Sequence, residues 1–294
     1  MQTISRFNFD FFITNQSYFV LFVILLRLIP TTADFSYFIV AGFALFGRKQ
    51  VIVSLVLMWL FSMLNTEIIP YAKYESFSRY IVVLTCLFSI LLKLKFKKIN
   101  NFILITFLFG IFLIIHSILF SNFPIVSILK ATYWTLITII LLLAWLGTSR
   151  LEHEHTIRWL TEFLFSTLLI SFILFLVYPD IGFIVNSSYF HGVFNNPQAL
   201  GLTAAGVFSL LISQLDFRCK PKLILLIKIM ISIFLLLLSG SRTGGIALFM
   251  SCLISGLLFF IYKFHSLKLI KKFRIDFIYA LLPFVLIMLV LLFL

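Results

Sequence analysis

Eleven apolar runs, separated by short polar or basic segments, constrain the fold of this chain more than any other feature of its sequence. A helix needs about 20 apolar residues to cross the hydrocarbon core of a bilayer, within a range of about 17–25. Several runs are shorter than this, and we expect their ends to extend by a few residues. The runs are residues 11–29, 35–46, 51–64, 80–92, 102–120, 131–146, 160–178, 198–215, 223–238, 245–262 and 277–294.

The composition excludes a soluble domain. Of the 294 residues, 62% are hydrophobic and 11% are charged, whereas soluble domains are about 45–50% apolar. A compact soluble domain needs a polar exterior that this chain cannot supply. The net charge of +13 does not indicate nucleic-acid binding, because the basic residues lie in short blocks between apolar runs. The sequence therefore predicts an all-α polytopic membrane protein of about 11 spans, forming a single helical bundle over residues 1–294.

The basic residues orient the spans. Alternate loops hold 17 of the 23 Lys and Arg residues, and the positive-inside rule places those loops in the cytoplasm. The N-terminus is then cytoplasmic, whether 35–46 is a span or part of a re-entrant hairpin with the first run. We expect Lys228, inside a span on the same side, to snorkel to that surface. The 17 residues are Arg6, Arg48, Lys49, Lys93, Lys95, Lys97, Lys98, Arg150, Arg158, Arg218, Lys220, Lys222, Lys263, Lys268, Lys271, Lys272 and Arg274.

Five basic residues remain on the predicted outer side, namely Arg27, Lys73, Arg79, Lys130 and Arg242. Arg242 lies in the segment 239–245, SGSRTGG, where a new helix is predicted to begin. A helix start exposes unpaired N–H groups and a partial positive charge, and glycines allow close approach of a ligand. The segment predicts either an anion site that includes Ser241, Thr243 and Gly244, or a tight turn whose arginine reaches the lipid headgroups.

A second helix start faces the same side. In the segment 191–198, HGVFNNPQ, we expect Asn196 to be the N-cap and Pro197 the first helical residue. Asn195, Asn196 and Gln198 also offer amides to sugar hydroxyls. Capping alone is the simpler interpretation of Asn196 and Pro197.

Two segments together resemble the superfamily of O-antigen ligases and O-antigen polymerases, which are glycosyltransferases of the bacterial envelope. They read HGVFNNPQALG at 191–201 and LLLLSGSRTGGIALF at 235–249, and a weaker likeness is the GRKQ loop at 47–50. Position 189 is Tyr, where family members often have Arg. Family members also commonly continue into a large outer loop and further spans, so we expect this chain to lack that C-terminal portion.

The resemblance implies a multi-pass protein of the bacterial inner membrane that transfers a glycan from undecaprenyl pyrophosphate at the outer face. A fixed cation and helix dipoles would stabilise the anionic leaving group. We assign that role to Arg242 first and Arg79 second, with Lys130 as a further substrate contact. Snorkelling to the headgroups is the favoured interpretation of both Arg27 and Lys130.

A general base should activate the acceptor hydroxyl, and the outer side offers few candidates. His191 has a suitable pKa range and adjoins the Asn-rich segment. The other candidates are Asp34, Glu67, Glu75 and Asp180. We expect no metal and no cofactor, and we interpret the run EHEH at 152–155 as a solvated cytoplasmic loop.

The expected partners are an undecaprenyl-pyrophosphate-linked oligosaccharide, membrane lipid and other polysaccharide-assembly proteins, and nucleic acid is not among them. A polymerase of O-antigen or capsule units is the leading interpretation. A ligase that transfers the glycan to lipid A-core or another acceptor of lipopolysaccharide synthesis is the nearest alternative. A lipid-linked sugar flippase would need polar residues near mid-membrane. Only His116 suits that role, and a helix–helix hydrogen bond is the favoured interpretation of it. An inactive truncated remnant is the remaining alternative.

Overall fold

The structure is a computed structural model that describes residues 16–70, 72–92, 101–146, 148–183, 189–213 and 223–265. Within these ranges the regular structure is helical, and Phe183 and Phe190 form an isolated antiparallel bridge. The helices are α1 Gln16–Leu28, α2 Ala33–Ala44, α3 Arg48–Met63, α4 Glu75–Leu92, α5 Asn101–Phe120, α6 Pro124–Leu146, α7 Arg150–Val177, α8 Pro179–Gly182, α9 Pro197–Ser213, α10 Leu223–Ser239 and α11 Arg242–His265.

The helices follow the apolar runs of the sequence. Each run from the first to the tenth overlaps one helix, and the eleventh, 277–294, lies outside the described residues. Four helices, α4 to α7, are long and apolar enough to cross a membrane. Others, including α1 and α2, are apolar but shorter. The predicted all-α class and its membrane-type helices are therefore observed.

Two compact units divide the chain, Met1–Thr156 and Ile157–Leu294. The division falls within α7, seven residues after the helix begins. The single bundle over 1–294 stays a prediction.

Helix α3 forms the centre of the first unit. It packs against α2, α4 and α6, while α1 packs on α2 and α5 packs on α6. Residues on several sides of α3 are buried, among them Val51, Leu57 and Phe61. An apolar helix with neighbours on several sides needs no polar face. In contrast, most of α5 is exposed and apolar, as expected for a surface in contact with lipid.

Helix α9 forms the centre of the second unit. It packs against both α10 and α11, and small residues such as Ala204 and Ala205 lie buried along it. Beside it, aromatic rings from α7, α10 and the segment before α9 form a cluster. Phe175 is central, with ring centroids 5.5 Å from those of both Phe190 and Phe234. Because Phe190 belongs to this cluster, the segment that leads into α9 is anchored in the core.

The run at 152–155 is helical, so its interpretation as a loop is wrong. Helix α7 already begins at Arg150, and Glu152 accepts a hydrogen bond from the Ser149 N–H at 2.7 Å. The Ser149 hydroxyl in turn accepts from the Glu152 N–H at 3.4 Å. This reciprocal pair is a capping box, and the helix begins ten residues before the apolar run 160–178. The His153 ring stacks on that of Trp145 at 4.2 Å.

Candidate functional site

The turn between α10 and α11 is built as the sequence predicts. Gly240 has φ of +55°, a left-handed conformation that favours glycine. The next residue, Ser241, is the N-cap of α11, since its hydroxyl accepts a hydrogen bond from the Gly244 N–H at 3.1 Å. The Ser241 and Thr243 hydroxyls lie 3.2 Å apart. Arg242 and Thr243 are exposed, whereas Ser241 and Gly244 are buried.

The start of α9 confirms the predicted cap. The Asn196 side-chain carbonyl accepts a hydrogen bond from the Ala199 N–H at 2.7 Å, and Pro197 is the first helical residue. The Asn196 amide donates to the Asn195 carbonyl oxygen at 2.8 Å. Asn195 and Gln198 are exposed beside this cap.

The two segments meet within the second unit. The Phe190 N–H donates to the Leu238 carbonyl at 3.1 Å, so the chain before α9 is joined to the end of α10. The helices then cross at glycines. A Cβ atom on Gly244 would lie 2.7 Å from the backbone carbon of Gly201. Gly201 and Gly244 are near the first residues of α9 and α11, so both helix N-termini lie at one place.

Tyr189 contributes to this junction. A Cβ atom on Gly240 would lie 2.2 Å from the Tyr189 ring, so the ring covers the turn. The aromatic side chain packs on the glycine backbone instead of adding a cation. Arg242 is therefore the basic residue that the described part of this junction contributes.

His191 shapes the turn before α9 and is 6% exposed. Its Nδ1 lies 2.6 Å from the Phe194 carbonyl oxygen. Since a carbonyl only accepts, Nδ1 carries the proton, and Nε2 of the neutral ring is the nitrogen with a free lone pair. The neighbouring Gly192 has φ of +59°, and the Val193 N–H donates to the Ser171 hydroxyl at 3.3 Å. The role of His191 as general base stays a prediction.

The first unit contains a cavity of about 670 Å³ between α3, α4 and α6. Both Arg79 and Lys130 line it, and they are residues that the sequence analysis assigned to substrate. Arg79 is half-buried and Lys130 is exposed. The Tyr80 and Tyr133 rings meet edge to face at 5.6 Å in its wall. No local sequence pattern marks this cavity, because its lining residues come from three separate helices.

Arg27 does not snorkel, and that expectation is wrong. The residue is 3% exposed, and its Nη1 donates to the Pro70 carbonyl at 2.5 Å. Its Nη2 lies 3.8 Å from a Glu75 carboxylate oxygen, and its guanidinium lies over the Tyr37 ring. A guanidinium is always charged, so its burial costs free energy unless such partners offset it. Arg27 thus holds the segment before α4.

The other candidate bases differ in their surroundings. Asp34 accepts a hydrogen bond from the Tyr74 N–H at 2.9 Å, and Glu75 is the partner of Arg27. Glu67 and Asp180 are exposed. Asp34 and Glu75 therefore have structural roles within the first unit, which the sequence did not indicate.

Lys228 forms an ion pair that the sequence analysis missed. Its Nζ lies 2.6 Å from both carboxylate oxygens of Glu162 and 5.1 Å from the centre of the Phe165 ring. Its side chain is 16% exposed, so the expected snorkelling is replaced by a contact with a neighbouring helix.

His116 differs from its expected role, because it makes no helix–helix hydrogen bond to a described residue. Its ring contacts those of Phe112 and Phe120 on its own helix.

The candidate residues form two groups. The second unit brings together the segments of Arg242, Thr243, Asn195, Gln198 and His191, and the first unit brings Arg79 and Lys130 to one cavity. A comparison with protein-family models, curated proteins and solved structures found no match to this chain.

Proposed function

We propose that the chain is a polymerase-like glycosyltransferase of O-antigen or capsule, which joins undecaprenyl-pyrophosphate-linked glycan units at the outer face of the bacterial inner membrane. One observation carries this proposal. The resemblance lies in the segments 191–201 and 235–249. The end of the first, residue 201, is 34 positions before the start of the second, residue 235, yet the two segments meet at the Gly201–Gly244 crossing.

The junction suits an anionic leaving group. Breaking the bond between sugar and pyrophosphate leaves negative charge on the departing oxygens, and cations and N–H dipoles aimed at that charge lower the barrier. Arg242 is exposed at the start of α11, and no described carboxylate forms an ion pair with it. Its planar guanidinium can hold two phosphate oxygens at once. Arg79 is the second candidate for the same role.

The amides beside Arg242 suit the sugar. Asn195 and Gln198 are exposed at the adjacent helix start, and amides pair with hydroxyls both as donors and as acceptors. Asn196 already uses its carbonyl oxygen in the cap and one amide hydrogen toward Asn195. Thr243 adds a hydroxyl next to Arg242. Asn195 and Gln198 are therefore the first candidates for orienting the glycan, and Asn196 is the next.

The proposal includes about eleven spans with a cytoplasmic N-terminus. Within the first unit, contacts from Arg27 to Pro70 and from Asp34 to Tyr74 place the segments before and after α2–α3 at one end. Those two segments are assigned to the same side by the charge pattern. Helix α1 has 13 residues and α2 has 12. At a rise of 1.5 Å per residue, α1 is about 20 Å long and α2 is about 18 Å long.

Arg242→Ala tests the catalytic assignment. We expect the rate of chain elongation to fall about 100-fold or more, the usual effect of removing one group that stabilises an oxyanion. The measurement is the length of lipid-linked glycan made by purified protein in proteoliposomes. Arg158→Ala is the matched control, because it removes an exposed arginine from the same unit. Glycan of full length from Arg242→Ala would refute the assignment.

A further inference from the structure

The cavity of the first unit has a charged end and an apolar end. Arg79 and Lys130 are near the first residues of α4 and α6, and Ser62 is near the last residue of α3. The wall continues along the same helices to Leu55 and Leu141. Lys130 and Leu141 are 11 positions apart on α6, which is about 16 Å at 1.5 Å per residue. The cavity is therefore elongated along the helices, with its two cations at one end.

The charged end suits an anion. Among its described lining residues the cavity has two cations, Arg79 and Lys130, and no carboxylate or side-chain amide. No described carboxylate forms an ion pair with either cation. The Ser76 hydroxyl also lines the wall and can donate a hydrogen bond, whereas the Ser62 hydroxyl already donates to the Trp59 carbonyl oxygen at 2.8 Å. A guanidinium, an ammonium and one hydroxyl together match the oxygens of a phosphate.

The apolar end suits a hydrocarbon chain. Leu55, Met58, Ile137 and Leu141 line it, and α4 and α6 are both helices long and apolar enough to cross a membrane. A small soluble anion would leave this apolar wall unused. A sugar with several hydroxyls is usually bound by side-chain amides and carboxylates, and the described lining of this cavity has neither. The lining thus favours an amphiphile over either ligand.

We propose that the first unit binds an anionic lipid, with its phosphate between Arg79 and Lys130 and its chain along α3 and α6 towards Leu55 and Leu141. The shared chemistry is a phosphate on a hydrocarbon chain, which a bilayer phospholipid or a polyprenyl phosphate supplies. This site uses no residue of the second unit. Binding of a polyprenyl phosphate there rests on the proposed function, in which Arg79 is the second candidate for holding the pyrophosphate, whereas binding of a bilayer phospholipid does not. Its test is a binding measurement without turnover.

Lipid binding by purified full-length protein in detergent, followed by native mass spectrometry, tests the proposal. The probes are phosphatidylglycerol, undecaprenyl phosphate and the zwitterionic phosphatidylcholine. We expect one or both anionic lipids to bind at least about tenfold more tightly than phosphatidylcholine. The double variant R79Q/K130Q should lose about tenfold or more of that affinity, through the loss of charge-assisted hydrogen bonds.

Two further variants separate the cavity from general surface charge and from misfolding. K73Q removes an exposed cation that does not line the cavity, and we expect it to keep wild-type affinity. Leu141→Trp fills the apolar end, and we expect weaker lipid binding with both cations in place. Unchanged thermal unfolding of R79Q/K130Q excludes loss of fold as the cause.

The outcomes are distinct. Preference for phosphatidylglycerol identifies a bilayer lipid, and preference for undecaprenyl phosphate identifies a lipid-linked carrier; either supports the proposal. Equal binding of phosphatidylcholine, equal losses in K73Q and R79Q/K130Q, or wild-type binding by R79Q/K130Q would overturn it. Wild-type lipid binding by R79Q/K130Q would overturn this proposal and leave the Arg242→Ala result unaffected, so the two proposals fail separately.

Discussion

Arg27 and Arg242 show that the same side chain on the same predicted side of the membrane can have opposite surroundings. Arg27 is 3% exposed and bound to the Pro70 carbonyl and Glu75, whereas Arg242 is exposed at a helix start. The local sequence separated them only in part, through the glycines around Arg242. Pro70 and Glu75 are more than 40 positions away from Arg27, beyond the reach of any local pattern.

Gly244→Ala is expected to destabilise the second unit. Its Cβ would lie 2.7 and 2.8 Å from backbone atoms of Gly201, which cannot move aside as a flexible side chain can. Overpacking of this kind lowers the free energy of unfolding by about 1–3 kcal/mol. The measurement is thermal unfolding in detergent.

Gly206→Ala on α9 is the matched control for Gly244→Ala. A Cβ there would meet nothing within 4 Å, so alanine should raise stability by about 0.5–1 kcal/mol through its better helix propensity. Equal melting temperatures of the two variants would show that the α9–α11 crossing is looser than this structure has it.

At the scale of helices, capping explains which boundaries the sequence predicted. The Asn196–Ala199 contact joins residues three positions apart, so its signal lies in a short stretch of sequence. The start of α7 depends on the equally local pair Ser149 and Glu152, but the charged run beside it suggested a loop. The helices themselves followed the apolar runs, because burial or lipid contact of an apolar helix surface is set by composition.

Asn196→Ala is expected to lower the free energy of unfolding by about 1 kcal/mol through loss of the α9 cap. Asn196→Asp should keep wild-type stability, since an aspartate oxygen can accept the same Ala199 N–H. Thermal unfolding measures both. If Asn196 only caps α9, the Asn196→Asp variant should make glycan of normal length. Shortened glycan at unchanged stability would instead show that the Asn196 amide binds sugar.

At the scale of the whole molecule, the charge pattern predicts which loops share a side of the membrane, and this sidedness stays a prediction. Contacts from Arg27 to Pro70 and from Asp34 to Tyr74 bring these residues together at one end of the first unit. Within the second unit, the chain before α9 meets the end of α10. Each of these two pairs joins loops that the positive-inside rule assigns to a common side.

Cysteine-accessibility labelling of intact cells is expected to find residues 73 and 242 outside and residue 150 inside. The reason is the bias of basic residues toward cytoplasmic loops. Substitutions to Cys at Lys73, Arg242 and Arg150 in a background without native cysteines supply the measurement, and labelling after permeabilisation is the control. Protection of position 242 until permeabilisation would contradict the outer-face site.

The sequence by itself determined the helical class, the approximate positions of ten helices, and the cap of α9, because apolar runs and capping residues act over a few positions. Only the tertiary structure decided that Arg79 and Lys130 share a cavity, that Glu162 pairs with Lys228, and that Gly201 meets Gly244. These pairs are separated by 43 to 66 positions. Their encounters depend on how whole helices pack, which no stretch of residues around either partner specifies.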